Sequence, residues 1–249
     1  MAQEESNVPA KPLETGFAIV DDPNALEVCT QAFAEIGISN FELSRLKIPA
    51  GGSTAFLVPT LEGEVPAQKV RAIVVAMKGN EKVWWSATMD SGAAGTPPDC
   101  VSHDGVHGFG VNTLEEGVVD ATKNKCSECE WNRFGSSRSG GRGKDCKDTA
   151  LLFFFQESSR IPTLLTVPAT SLPVLKQYAL KLIHAGKRIE GVYTEIGLEK
   201  IMGGGGGSYS RLTLAYAGDL PEEATASMGK MGADLKSTLI EFDAYAPRE

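Results

Sequence analysis

The chain has 249 residues, 42% of them hydrophobic and 22% charged, a balance expected of a globular protein with a sizeable core. It contains no uninterrupted apolar run of about 18 residues, so no membrane span is expected. Its net charge of -8, from 24 basic against 32 acidic residues, argues against a surface coated in positive charge. The N-terminus, Met-Ala-Gln-Glu-Glu-Ser, has no apolar signal segment, and the expected location is cytoplasmic.

Residues 1–17, rich in Glu, Pro and Lys, predict a flexible arm, and residues 18–249 a single elaborated domain. Asp22-Pro23-Asn24 opens an amphipathic helix to about Ile36, with Leu26, Cys29, Phe33 and Ile36 on one face. Strand patterns follow at Phe41 to Ile48, Ser53 to Val58 and Val70 to Met77, then a turn at Gly79-Asn80 and a strand from Lys82 to Ala87. A glycine-rich, cysteine-bearing insertion over about residues 95–148 interrupts the β pattern. Strands resume at Ala150 to Gln156 and Thr163 to Val167. Ser171 caps a helix with Pro173 in its first turn and Leu175, Tyr178, Leu182 and Ile183 on its apolar face, ending near Gly186. Two strands, Arg188 to Met202 and Ser208 to Ala217, are joined by the glycines at 203–207, and a last helix covers about residues 219–242. The order of strands with one helix before the final pair predicts a mainly β, α+β protein built on an OB-fold-like barrel with flanking helices. Other small β-barrels and sandwiches share this pattern.

Within the insertion, Cys126-Ser127-Glu128-Cys129 sets two thiols on one tight turn, flanked by Cys100 and Cys146. That is the spacing of a structural Zn2+ site, in which four thiolates close a tetrahedron. His103 and His107 are alternative ligands. A thioredoxin-like redox motif is disfavoured, because no strand leads directly into the C-x-x-C. A nucleobase deaminase lacks its signature, since Asp104-Gly105 follows His103 and Lys125 precedes Cys126. Disulfides fit poorly with an odd cysteine count and no signal segment. Cys29 reads as a buried small hydrophobe.

From Arg133 to Lys147 there are five basic residues, Arg133, Arg138, Arg142, Lys144 and Lys147, against one acid, Asp145. Interleaved Gly and Ser would let backbone N–H groups approach a phosphate chain, and a solvated loop would have the same composition. Flat rings for base stacking are available at Trp131 and Phe134 in the same stretch and at Trp84 and Trp85. The two adjacent tryptophans must point to opposite faces of a strand, so only one belongs to the core. Enzyme motifs are missing: in Gly140-Gly141-Arg142-Gly143-Lys144-Asp145 the first Walker A glycine position is Arg138 and the Ser/Thr position is Asp145. His184 stands alone, and Asp90, Asp99 and Asp104 are the acids a metal-dependent nuclease would draw on.

Cys100-Val101-Ser102-His103-Asp104-Gly105, Cys126-x-x-Cys129-x-x-Asn132-x-Phe134-Gly135-Ser136 and Gly143-Lys144-Asp145-Cys146-Lys147 together resemble single-stranded DNA-binding, replication-associated proteins of tailed bacteriophages and prophages. Ile161-Pro162, Val167 to Ser171 and Tyr178 extend the resemblance, which spans Cys100 to Gly218. It implies DNA binding in phage replication or recombination, in the host cytoplasm. The expectation is therefore a non-enzymatic, sequence-tolerant single-stranded DNA-binding protein. In it Cys100, Cys126, Cys129 and Cys146 hold Zn2+; Arg133, Arg138, Arg142, Lys144 and Lys147 attract phosphates; and Trp131, Phe134 and Trp84 or Trp85 stack on bases. Phage or host replication proteins are further partners, and an oligomer is compatible with this reading. An adaptor of a phage replisome or host-takeover complex is the alternative, and a metal-dependent nuclease the third.

Overall fold

The computed structural model describes residues 15–22, 24–25, 27–28, 31, 43–49, 51–60, 62–87, 98–110, 125–138, 140–203 and 207–241. Most of the helix expected from Asp22 to Ile36, including Cys29, lies outside the described residues. So do Asp90, the start of the insertion, the middle of the glycine run at 203–207, and Phe242.

The protein is mainly β and of α+β class. The described elements are α1 (Ala18–Asp21), β1 (Phe56–Thr60), β2 (Gly63–Ala67), β3 (Lys69–Trp84), β4 (Cys100–Ser102), β5 (Phe109–Gly110), β6 (Lys147–Gln156), β7 (Thr163–Pro168), α2 (Leu172–His184), β8 (Val192–Met202), β9 (Ser208–Asp219) and α3 (Glu222–Glu241). Short 3-10 turns occupy Glu130–Asn132, Ala169–Ser171 and Ile189–Gly191. All the strand pairings are antiparallel.

The long strand β3 organises the main sheet. One of its edges carries β6, with Ala72 opposite Gln156 and Val83 opposite Lys147. Its other edge is divided: β8 takes the start, Lys69 to Ala72, and β4 takes the end, Lys82 to Trp84. β7 extends the sheet beyond β6, β9 beyond β8, and β5 beyond β4. Among the described residues β7 and β9 do not pair, so the strand ladder does not close on itself.

Gly79-Asn80 does not turn the chain, contrary to the sequence expectation. β3 runs through it as one 16-residue strand, with a shift in its pairing to β6 between Lys78 and Glu81. Asn80 takes a positive φ of 63°, a conformation Asn tolerates, and the extra residue is absorbed as a bulge that bends the strand rather than reversing it. β1 overlaps the strand expected at Ser53 to Val58, whereas its hairpin partner β2 was not expected, because Pro66 and two glutamates break the alternation; prolines are tolerated in such a two-stranded edge element. In the Phe41 to Ile48 stretch the described residues make only isolated bridges, Arg45 to Leu164 and Lys47 to Leu57. The last helix begins at Glu222 rather than Asp219, which ends β9 and pairs with Lys187 at 2.6 Å.

β6 explains its own sequence. Leu151, Phe153 and Phe155 point to one face and Ala150, Leu152 and Phe154 to the other, and all six are buried. A strand covered on both faces reads as a continuous apolar run. On the first face α1 and α3 close the core, where Met228, Met231 and Leu235 meet Ile73 and Val75. A Cβ on Gly232 would stand 1.9 Å from the Val75 carbonyl oxygen, so only glycine allows α3 to sit this close to β3. On the second face Phe56, Leu165, Ile196 and Leu212 pack with Leu175 of α2. Each large side chain buried in this way contributes about 1.5–3 kcal/mol relative to exposure. Arg71 lies over the rings of Phe17 and Tyr193 and donates to the Thr15 carbonyl, which fixes the end of the expected arm to the sheet.

Candidate functional site

The far end of β3 gathers the outer cysteines. Trp84 pairs with Cys100 across one edge, and Val83 pairs with Lys147, the neighbour of Cys146, across the other. The Cys126–Cys129 turn is tied to the same place: the Cys126 amide donates to the Val106 carbonyl and the Cys146 amide to the Trp131 carbonyl. Within the turn, the Glu128 and Cys129 amides both donate to the Lys125 carbonyl, and Asn132 Nδ2 donates to the Cys126 carbonyl at 2.7 Å. The Glu130–Asn132 3-10 turn follows.

All four cysteines are free thiols, and Cys126 and Cys146 are buried. Burial pushes the Cys146 thiol up to about 12 and the Cys100 thiol up to about 11, and the neighbouring sulfurs add to both shifts through the repulsion their thiolates would feel. Cys126 is raised as well, chiefly by burial, while the Ser102 hydroxyl and the Lys82 ammonium oppose the shift. The four thiols thus share one neighbourhood. Among the described residues, however, no three or more His, Cys, Asp or Glu side chains are arranged as a preformed metal-holding group. The donor chemistry, four thiols and no disulfide around one knuckle-like turn, fits a thiolate-preferring ion. The two histidines considered as substitutes are paired with acids: His103 Nδ1 is 3.0 Å from buried Glu81 Oε2, and His107 Nδ1 is 3.0 Å from Asp104 Oδ2.

The basic residues of the insertion fall into two groups. Arg138 is internal bracing: Nε donates to Asp145 Oδ2 at 2.7 Å, and its two terminal nitrogens donate to the Ser86 and Trp85 carbonyls. Its guanidinium also lies over Trp84 and Trp131. Lys144 donates to Asn132 Oδ1 and Asp148 Oδ2 and lies 5.1 Å from the centre of the Phe134 ring. Arg133 reaches the Glu128 carbonyl at 3.3 Å, and Lys147 the Lys144 carbonyl at 2.6 Å, from exposed positions. Arg142 is exposed, with no side-chain partner among the described residues.

The aromatic residues separate as the alternation rule requires. Trp84 is 4% exposed, stacks on Trp131 and donates its indole N–H to Asp145 Oδ2 at 2.8 Å. Its ring is committed to the interior. Trp85 faces the other way and is half-buried, and Phe134 is 82% exposed.

Trp85 and Phe134 line a single cleft of about 1000 Å³, together with Lys144, Lys147 and Arg45. Arg45 comes from the far upstream segment held to β7, and nothing in its local sequence marks it. A second cavity of about 560 Å³ adjoins it, sharing Asp148, Thr149 and Leu172. Of the acids named as nuclease candidates, Asp99 and Asp104 serve the backbone. Asp99 Oδ2 accepts from the Ser86 amide and hydroxyl, and Asp104 Oδ1 from the Val106 and His107 amides. The His107 amide is the largest cause holding Asp104 well below the usual carboxylate range. His184 is exposed in the last turn of α2. Among the described residues no helix is long and apolar enough to cross a membrane. The chain matches no family model, no curated protein and no solved structure.

Proposed function

We propose that this protein binds single-stranded DNA without strong sequence preference, as a non-enzymatic replication or recombination factor of the phage type that its cysteine-insertion motifs resemble. The observation that carries the reading is the cleft: rings at Trp85 and Phe134 and cations at Arg45, Lys144 and Lys147 meet on one concave surface. Single-strand binders combine these two features, flat rings for bases and positive charge for phosphates. Local placement of charge reconciles that role with a net charge of -8.

In this reading Cys100, Cys126, Cys129 and Cys146 hold a structural Zn2+ that would fix the turn carrying Trp131 and Phe134. Zinc supplies a rigid cross-link there and takes no part in chemistry. Arg142, Arg133 and Lys147 meet phosphates, whereas Arg138 and Trp84 hold the insertion to the sheet. The pairing order β7-β6-β3-β8-β9, with α2 between β7 and β8, supports an open OB-like barrel.

The test is fluorescence anisotropy of a labelled oligothymidylate at low and moderate salt, beside matched duplex DNA and RNA. Tight binding that prefers the single strand and weakens steeply with salt is expected, because neutralised phosphates release counterions. Absence of binding at low salt would overturn the reading. The adaptor alternative would then lead, and it draws on the outer face of α2, where Leu180 and Ile183 are 55% and 68% exposed. It predicts co-purification with a replication protein.

A further inference from the structure

Asn132 stands where the cysteine turn meets the cleft. It closes the Glu130–Asn132 3-10 turn, and its backbone amide donates to the Cys129 carbonyl at 3.2 Å. Its carboxamide is used at both ends. Nδ2 donates to the Cys126 carbonyl at 2.7 Å, while Oδ1 accepts from Lys144 Nζ at 3.1 Å and from Lys82 Nζ at 3.4 Å.

The two ammonium groups share one carboxylate. Asp148 stands directly opposite Lys82 in the pairing of β3 with β6, and it accepts from both Lys82 and Lys144. A lysine side chain is long and flexible, and a single ionic contact leaves it much of its rotamer freedom. Asn132 Oδ1 gives Lys144 a second contact, from a carboxamide whose other end is already fixed to Cys126. Held in this way, the ammonium lies 5.1 Å from the centre of the Phe134 ring, and both side chains line the cleft.

We propose that Asn132 is a positioning residue for strand binding: it passes the placement of the cysteine turn to Lys144, and so presents that ammonium beside Phe134, where the phosphate next to a stacked base would lie. The inference rests on the nucleic-acid reading for its ligand. Its physical content is pre-organisation, since a side chain ordered before association does not lose its rotamer freedom on binding.

Asn132→Leu is close in shape, removes both carboxamide contacts and leaves the charge of Lys144 in place. It should bind oligothymidylate about fivefold more weakly, with an unchanged salt slope. Lys144→Met should weaken binding and lower the salt slope by about 0.7, the single-strand value for one phosphate contact. Because Asn132 acts through Lys144, the double variant should bind no more weakly than Lys144→Met alone. A residue that only braces the turn would weaken binding equally in both backgrounds, and that additivity would overturn the proposal. Acetylation of Lys144 by a limiting dose of acetic anhydride, read by mass spectrometry, reports its placement without nucleic acid. Wild-type Lys144 should react several times more slowly than the exposed Lys176, and Asn132→Leu should remove most of that difference. Equal rates in the wild type would overturn the proposal while leaving single-strand binding intact. Slow labelling that Asn132→Leu releases, in a protein that ignores oligonucleotides, would support the placement of Lys144 and reject the DNA reading.

Discussion

Trp84 and Trp131 stack with ring centroids 5.3 Å apart and planes inclined by 23°, joining the buried end of β3 to the cysteine turn. Arg138 lies over both rings, and Asp145 accepts from the Trp84 indole and from Arg138. The insertion is therefore packed against the sheet by a small aromatic and ionic core of its own.

Trp84→Ala should cost about 3–5 kcal/mol, the usual loss for a large aromatic removed from an interior. Urea denaturation measures it. If the residue stacks on bases instead, the variant will keep wild-type stability and lose affinity.

Arg138→Lys should loosen the insertion although charge is conserved, because a lysine ammonium cannot reach Asp145 and the Ser86 and Trp85 carbonyls together. With the side chain 30% exposed, a loss of about 1 kcal/mol is expected. Faster amide exchange over residues 131–146 is the readout.

Phe134→Ala gives the cleanest separation of binding from folding. The ring is 82% exposed, so stability should change by no more than about 0.5 kcal/mol. Oligonucleotide affinity should fall by about 1–3 kcal/mol, the value of one stacked base. Unchanged affinity in anisotropy titrations would remove Phe134 from the interface.

Zinc should be present at about one ion per chain in protein purified without chelator, and Cys146→Ser should lower that content. The Cys100 and Cys146 thiols stand at about 11 and about 12 without metal, so the ion must displace protons, and affinity should rise with pH. Elemental analysis decides the matter: a metal-free protein with four thiols open to alkylation would remove zinc from the mechanism.

Asp104 supplies a pH test. Its carboxyl is depressed, first by the His107 amide, so the stability it contributes is present above the ordinary aspartate value of about 4 and is lost as pH falls below it. The protection of the Val106 and His107 amides, taken as exchange relative to the intrinsic rate at each pH, should therefore fall on acidification well below about pH 4. Asp104→Asn should show reduced protection of these amides at neutral pH and little further loss of protection with acid.

Much of the β framework was legible because its cues are local. The Phe-rich run of β6, the apolar face of α2 and the alternation at Trp84-Trp85 each state their burial within a few residues. The cysteine spacing announced a shared neighbourhood, and the outer cysteines do flank the far end of β3, but among the described residues no three ligands are arranged as a preformed metal-holding group. Gly79-Asn80 misled because the same dipeptide serves a turn or a bulge, and the choice depends on whether a neighbouring strand continues alongside, as β6 does. The roles of Arg138 and Lys144 were hidden for a different reason: composition reports charge, while their acid and carbonyl partners are fixed by tertiary packing. Arg45 and Thr149 carry no local signature, and only the register of β7 and β6 places them at the cleft.

The divided edge of β3 bears on how the molecule is assembled. β8 occupies only Lys69 to Ala72 and β4 only Lys82 to Trp84, so the cysteine insertion and the C-terminal hairpin never compete for the same backbone groups. The sheet body can acquire its register first, and the insertion can dock later onto an end that is already held by β6. The insertion thus adds β4 and β5 at that end without occupying any backbone group of β3 that β8 uses.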